Sequence, residues 1–197
     1  TNPPEFKDDE PVKLALTTKN AGSLTVRIYP INTLGYHESH TKPIDATIDL
    51  DGLTPNLQKA VETNKNPFLR ESRVLDLPEV KGHGVWVVEL IGNGRANRCV
   101  LYRGELRALP VPHEMGRVAI VVDGMGVPVP KAEVRLAGHS YGADAQGRAL
   151  LPFTVVEDGQ EAPAADRILL VDPRDGFCQP AELPTLKEEY DLVLTGF

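Results

Sequence analysis

Cysteine is scarce in this chain. Two in 197 residues, Cys99 and Cys178, are too few to brace a disulfide scaffold, and their spacing matches no zinc motif. Two outcomes stay open for them, a bridge between the halves of an exported chain or two separate half-buried thiols. Aromatics amount to 6% with a single tryptophan, Trp86, so material for a stacking platform is limited. No apolar run approaches the roughly 20 residues that span a bilayer, and no transmembrane helix is expected. A glycine-rich phosphate loop between a strand and a helix is also missing, because the glycines fall in hairpin turns. Positive charge is in deficit, with 21 Lys and Arg against 28 Asp and Glu and a net charge of −7. That balance disfavours nucleic acid and anionic membrane as partners. The local series Arg95, Arg98, Arg103 and Arg107 alternates with apolar residues and is expected to form a solvated strand face.

What is present reads as all-β. Hydrophobic residues at 41% and charged residues at 25% allow cores to be buried, and the length suits two sandwiches of about 80–110 residues each. Proline and glycine, 17 of each, punctuate short runs of β-branched residues, the pattern of many strands joined by tight turns. We expect two tandem immunoglobulin-like or prealbumin-like β-sandwiches with one short helix in the first. The proposed divisions are a linker or disordered lead-in over residues 1–11, a first sandwich over 12–112 and a second over 113–197. The opening Thr1-Asn2-Pro3-Pro4 has neither Met nor a signal-peptide core, and the end follows a strand-like run at 190–194. Both ends read as cut from a longer processed chain.

Along the first half, residues 12–17 and 24–31 alternate, with Val12, Leu14 and Leu16 on one face and Leu24, Val26 and Ile28 on another. The two runs fit either a hairpin or strands of opposite sheets. Residues 34–42, with His37 and His40, read as a polar loop, and 44–50 as a short strand. The helix is placed at 53–63, where Thr54 can cap, Pro55 suits the first turn and Leu53, Leu57 and Val61 recur every four residues. Strands follow at 70–77, 85–91 and 95–102, the last two joined by a Gly92-Asn93-Gly94 turn, and 106–109 completes the unit. Trp86 shares the parity of Val88 and Leu90 and reads as a core plug. Pro110-Val111-Pro112-His113-Glu114 reads as a stiff linker. In the second half, strand signals lie at 117–123, 127–137, 141–153, 168–171 and 190–194, with an exposed excursion over 157–166.

The order Val121-x-Asp123-x-x-Gly126-x-Pro128-Val129-x-x-Ala132-x-Val134-x-Leu136, followed by Asp144-Ala145-x-Gly147-Arg148-Ala149-x-Leu151-Pro152-Phe153, resembles the carboxypeptidase-regulatory-like, or prealbumin-like, sandwich. It is also similar to domains of bacterial alpha-2-macroglobulin-like surface proteins. Physically, Asp123 and Gly126 shape one turn, Pro128 and Ala132 let the next strand cross closely, and Asp144 with Gly147 turns Leu150, Leu151 and Phe153 toward the core. The first half resembles a macroglobulin-type sandwich through residues 24–29, Asp49-Leu50-Asp51-Gly52-Leu53, Asp76-Leu77-Pro78 and 84–90. The resemblance implies an exported, extracytoplasmic parent, with scaffold of a protease inhibitor as one role open to it. The thioester Cys-Gly-Glu-Gln element of that family is missing, and Cys178-Gln179-Pro180 does not reproduce it.

No residue set builds a catalytic or metal site. His37 and His40 lack a third ligand at a useful spacing. Asp45, Asp49 and Asp51 with Gly52 suggest calcium, but the twelve-residue loop pattern is missing, and the solvated face of a strand is the simpler account. His139, Ser140 and Asp144 contain the parts of a hydrolase triad without its elbow, and Glu188 and Glu189 diverge on any regular element. The expectation is therefore a non-catalytic structural or interaction segment of a large exported alpha-2-macroglobulin-like protein, its sandwiches acting as rigid spacers, with no cofactor or metal and with no binding residue identified. Its partners would be other domains of the same polypeptide, with a protease or surface protein as further candidates. Surface adhesion or carbohydrate binding is the alternative, and it needs Tyr29, Tyr36, Tyr102 and Tyr141 to supply an exposed coplanar pair.

Overall fold

The alternating runs do become strands, and they divide between two units. The computed structural model describes residues 5–7, 10–40, 42–63, 66–154 and 163–185. One unit comprises Thr1–Glu105 with Asp175–Phe177, the other Leu106–Arg174 with Cys178–Phe197. Both are all-β and immunoglobulin-like, with one short helix in the first. No helix among the described residues is long and apolar enough to cross a membrane.

The first unit contains β1 (Glu5–Phe6), β2 (Lys13–Lys19), β3 (Ser23–Ile31), α1 (Thr33–Ser39), β4 (Leu57–Glu62), β5 (Arg70–Asp76), β6 (Gly84–Gly92) and β7 (Arg95–Arg103). A five-stranded sheet runs β1-β7-β6-β3-β4, and β2 pairs with β5 in a second sheet. The runs at 12–17 and 24–31 thus belong to opposite sheets. Period-2 alternation sends Val26, Ile28, Trp86, Val88 and Leu101 to one face, where they meet Leu14, Leu75 and Leu77. Trp86 is a core residue, as its parity implied. The other face carries Tyr29 and Val87, covered by Leu50 with Ile31, Ile48 and Val100 around them. Burial on both faces explains why β6 is an almost unbroken apolar run.

Several local expectations fail here for identifiable reasons. Residues 57–62 form β4, not a helix, and pair antiparallel with β3 so that Leu24 faces Val61 and Ile28 faces Leu57. A four-residue repeat is even-numbered, so Leu57 and Val61 share one face of a strand as readily as of a helix. The helix lies instead in the expected loop, where the Asn32 side chain accepts the Gly35 amide at 3.0 Å. Residues 44–50 form no strand. The Asp45 carboxylate takes the Thr47 amide at 2.7 Å and the Asp49 carboxylate takes the Asp51 amide at 2.9 Å, bending the chain into successive turns. Within the expected lead-in, Glu5 and Phe6 pair parallel with β7, and Phe6 is buried.

The second unit contains β8 (Leu106–His113), β9 (Gly116–Asp123), β10 (Glu133–Leu136), β11 (His139–Gly142), β12 (Arg148–Leu151), β13 (Ala165–Val171) and β14 (Cys178–Pro184). They form a three-stranded sheet, β12-β9-β8, and a four-stranded sheet, β11-β10-β13-β14. Pro110 and Pro112 lie inside β8, opposite Ala119 and Arg117, and not in a linker. An edge strand tolerates them because its outward amides have no ladder partner to lose. The same holds for Pro180 and Pro184 on edge strand β14. Ala119, Val121, Ala149, Leu151, Val134, Ile168, Leu170 and Leu183 are buried. Leu150, expected in the core with Leu151, is 42% exposed because neighbours on a strand face opposite ways. The expected strand at 190–194 and residues 157–162 of the excursion fall outside the described residues, and Ala165 and Asp166 belong to β13.

Candidate interaction surface

The turn residues of the second unit behave as their pattern implied. Asp123 Oδ1 accepts the amides of Met125 and Val127 at 3.0 and 2.9 Å, and Asp144 Oδ1 accepts those of Gln146 and Arg148 at 2.8 and 2.9 Å. Gly147, at φ +73°, lies so close to β9 that a Cβ would sit 2.8 Å from the Val121 carbonyl oxygen. These carboxylates therefore hold backbone.

The same is true of the residues considered for chemistry. Ser140 Oγ bonds Glu133 Oε1 at 2.7 Å, and Arg135 Nε donates to the same oxygen at 2.6 Å. The Ser140 hydroxyl, with Arg135 second, holds the Glu133 carboxyl below its usual range. With Asp144 capping its own turn, the His139, Ser140 and Asp144 set does not assemble a triad. His37 and His40 lie on or beside α1, where His40 stacks on Tyr36 at 4.4 Å. Burial lowers the His37 pKa, with the neighbouring His40 charge acting in the same direction. Cys99 and Cys178 are both thiols, and burial raises the Cys99 pKa. Glu188 and Glu189 lie outside the described residues. Of the tyrosines, Tyr29 is buried, the Tyr102 hydroxyl donates to the Ile44 carbonyl, and Tyr36 is half-buried against His40. Tyr141 is half-buried on β11. In the first unit, Pro30–Leu34, His83, Gly84 and Asp175–Phe177 line a shallow depression of about 480 Å³, with His83 Nδ1 3.1 Å from Asp175.

Sequence reasoning missed a buried ionic latch. Glu89, 6% exposed, receives Arg98 Nε at 2.9 Å, Arg27 Nη1 at 3.7 Å and the Tyr29 hydroxyl at 3.5 Å. Arg98 also donates to the Ile48 carbonyl at 3.3 Å, tying the covering segment to the sheet. Arg103 is buried too and donates to the carbonyls of Glu10 and Val80 at 3.0 and 3.2 Å. The expected solvated arginine face is thus partly internal. The signal available was Glu89 itself, a lone carboxylate in the apolar run of β6, which requires a partner when buried.

The outer face of the β12-β9-β8 sheet differs in kind. Register places Val111 opposite Val118 and Val118 opposite Leu150, with Leu109, Ile120 and Arg148 forming the adjacent row. Leu109 is 48% exposed and Val111 41%, while Val118 and Ile120 are half-buried between them. A contiguous apolar strip therefore faces solvent, the kind of surface that marks contact sites.

Both units are β-sandwich modules in which the polar residues described above hold turns, caps and internal latches. Comparison with known proteins gives particular likenesses. Residues 24–104 match the family model described as the AbpF first immunoglobulin-like domain. Over 156 residues, 78% of this chain, the sequence is 30% identical to actin-binding protein F of Dictyostelium discoideum. The chain spans 7% of that protein's length. Among solved structures it is similar to native alpha-2-macroglobulin from Escherichia coli spanning domains MG0-NIE-MG1. The TM-score is 0.49 with 15% identity, covering 87% of this chain and 58% of that one.

Proposed function

We propose that this chain is a non-catalytic interaction segment of a much larger protein, and that an actin filament is the partner it helps engage. The observation that carries the reading is the identity to actin-binding protein F, which runs through both units. The geometry supports the non-catalytic part of the reading, because Asp123, Asp144, Ser140, Glu133 and Glu89 are engaged in holding backbone or one another. Other domains of the same polypeptide are its second class of partner. The test is co-sedimentation of the purified 197-residue chain with filamentous actin across a range of protein concentrations. Saturable pelleting with filaments is expected; recovery of the chain wholly in the supernatant overturns the reading.

A second reading is favoured by the sequence from Val121 to Phe153, whose turns form as the prealbumin-like motif requires. In it the chain is an extracytoplasmic scaffold of a macroglobulin-like protein with a role in protease inhibition. Surface labelling of intact cells that carry the full-length parent separates the two. Protection from an impermeant reagent supports the actin reading, and labelling of these units supports the exported scaffold.

A further inference from the structure

The two units treat the outer faces of their sheets differently, and that difference points to a contact surface. In the first unit, the apolar side chains of the second face are covered by the segment that carries Ile48 and Leu50. In the second unit, the loop after β9 shields Val122, where Val122 bridges Pro128, but leaves the strip beyond it open. Charge says what kind of occupant fits. Strands β8, β9 and β12 contain Arg107, Arg117 and Arg148 against a single acid, Asp123. Arg117 points inward to Asp166 and the Pro184 carbonyl, and Asp123 is engaged by two amides. The outer face is therefore apolar in the middle, bordered by exposed Arg148 and by Arg107, which donates to the Gly124 carbonyl at 3.1 Å, in a chain whose net charge is −7.

We propose that the strip formed by Leu109, Val111, Val118, Ile120 and Leu150, with Arg148 at its border, is the face by which this segment docks on a protein surface that presents carboxylates around an apolar centre. The proposal deepens the actin reading and rests on it, so the filament is the probe. Apolar contact at the centre sets residence time, and the arginines at the border set the approach rate and the salt dependence.

The experiment compares the whole chain with the double variant Val111→Ser and Leu150→Ser, with Arg148→Glu, and with Val74→Ser as an exposed apolar control on β5, 62% exposed. Filament co-sedimentation is run at low and high salt. The double variant is expected to bind at least about tenfold more weakly. Arg148→Glu is expected to lose several-fold at low salt and to flatten the salt dependence, while Val74→Ser binds as the parent does. If the parent pellets and all three variants pellet equally, the docking face is refuted while the actin reading stands. If the parent does not pellet, the reading fails and takes this face with it. Urea unfolding and sedimentation equilibrium of the same proteins test the other occupants. A large loss of stability in the double variant means that the chain itself covers the strip. Self-association of the parent that the double variant abolishes means that a second copy does. Either result overturns the proposal.

Discussion

The five-stranded sheet of the first unit and the three-stranded sheet of the second both carry apolar side chains on their outer faces, but the second leaves a strip of them in contact with solvent. Around Tyr29 and Val87 the chain folds back an irregular segment, fastened by Leu50 from within and by Arg98 and Tyr102 from the sheet. Around Val118 and Ile120 the same kind of side chain stays at the surface. An outward apolar residue thus has two meanings, internal cover or external contact, and the difference lies in what the rest of the chain supplies.

Substitution of one leucine on each face tests that contrast most strongly. Leu50→Ala removes a buried side chain, 7% exposed, and is expected to cost about 2–4 kcal/mol through lost burial and a residual cavity. Leu150→Ala changes an exposed side chain and is expected to fall within about 0.5 kcal/mol of the parent. Urea unfolding of the whole chain, followed by amide resonances in each unit, measures both. Equal costs at the two positions would erase the distinction between a covered and an open face.

Glycines at two turns sharpen it by about half that amount. Gly94 closes the β6–β7 turn at φ +71° with open space around its Cα. Gly94→Ala therefore carries only the left-handed backbone penalty, about 1 kcal/mol. Gly147→Ala adds a collision with the Val121 carbonyl at 2.8 Å to a similar φ, and about 2–3 kcal/mol is expected. Thermal unfolding of the two variants should rank them in that order. The reverse order would mean that the second unit's turn yields more readily than its backbone contacts imply.

These turns also show why the second unit was the more legible. Asp123, Asp144 and Gly147 act on amides within four residues, so their geometry is written locally and survives without knowledge of the fold. Residues 57–62 and Pro110–Pro112 are ambiguous in sequence because even spacing and paired prolines are each compatible with two structures, and only strand pairing chooses between them. The helix at Thr33–Ser39 has one buried residue and no apolar stripe, so periodicity could not announce it. Glu89 and Arg103 become internal through contacts with distant segments, which a strand-by-strand reading does not see. The open strip escaped notice for the same reason, because Val111, Val118 and Leu150 become one row only when three strands are set in register.

The smallest expected effects separate the units by acid sensitivity. Burial lowers the His37 pKa from its ordinary 6.5, so the unfolded chain binds that proton more tightly than the folded one. Its contribution is complete above about pH 6.5 and is lost as pH falls from there through the lower folded value. Glu133 in the second unit is held below its ordinary 4.5, chiefly by the Ser140 hydroxyl and then by Arg135. Its contribution is complete above about pH 4.5 and disappears as pH falls through the lower folded value. Asp45 and Glu79 of the first unit are also lowered, by Thr47 and Lys59 respectively, and titrate in the acid range. The informative quantity is therefore the difference between parent and variant, not the parent's own pH curve. His37→Gln should remove a small loss of first-unit stability that sets in as pH falls below about 6.5, and leave the second unit's midpoint alone. Glu133→Gln should lower second-unit stability above about pH 4.5, with the difference from the parent shrinking as pH falls below that value, and should leave the first unit alone. A response of both units to either variant would show that their stabilities are coupled, and the contrast between the two sheets would then have to be measured on the chain as one cooperative body.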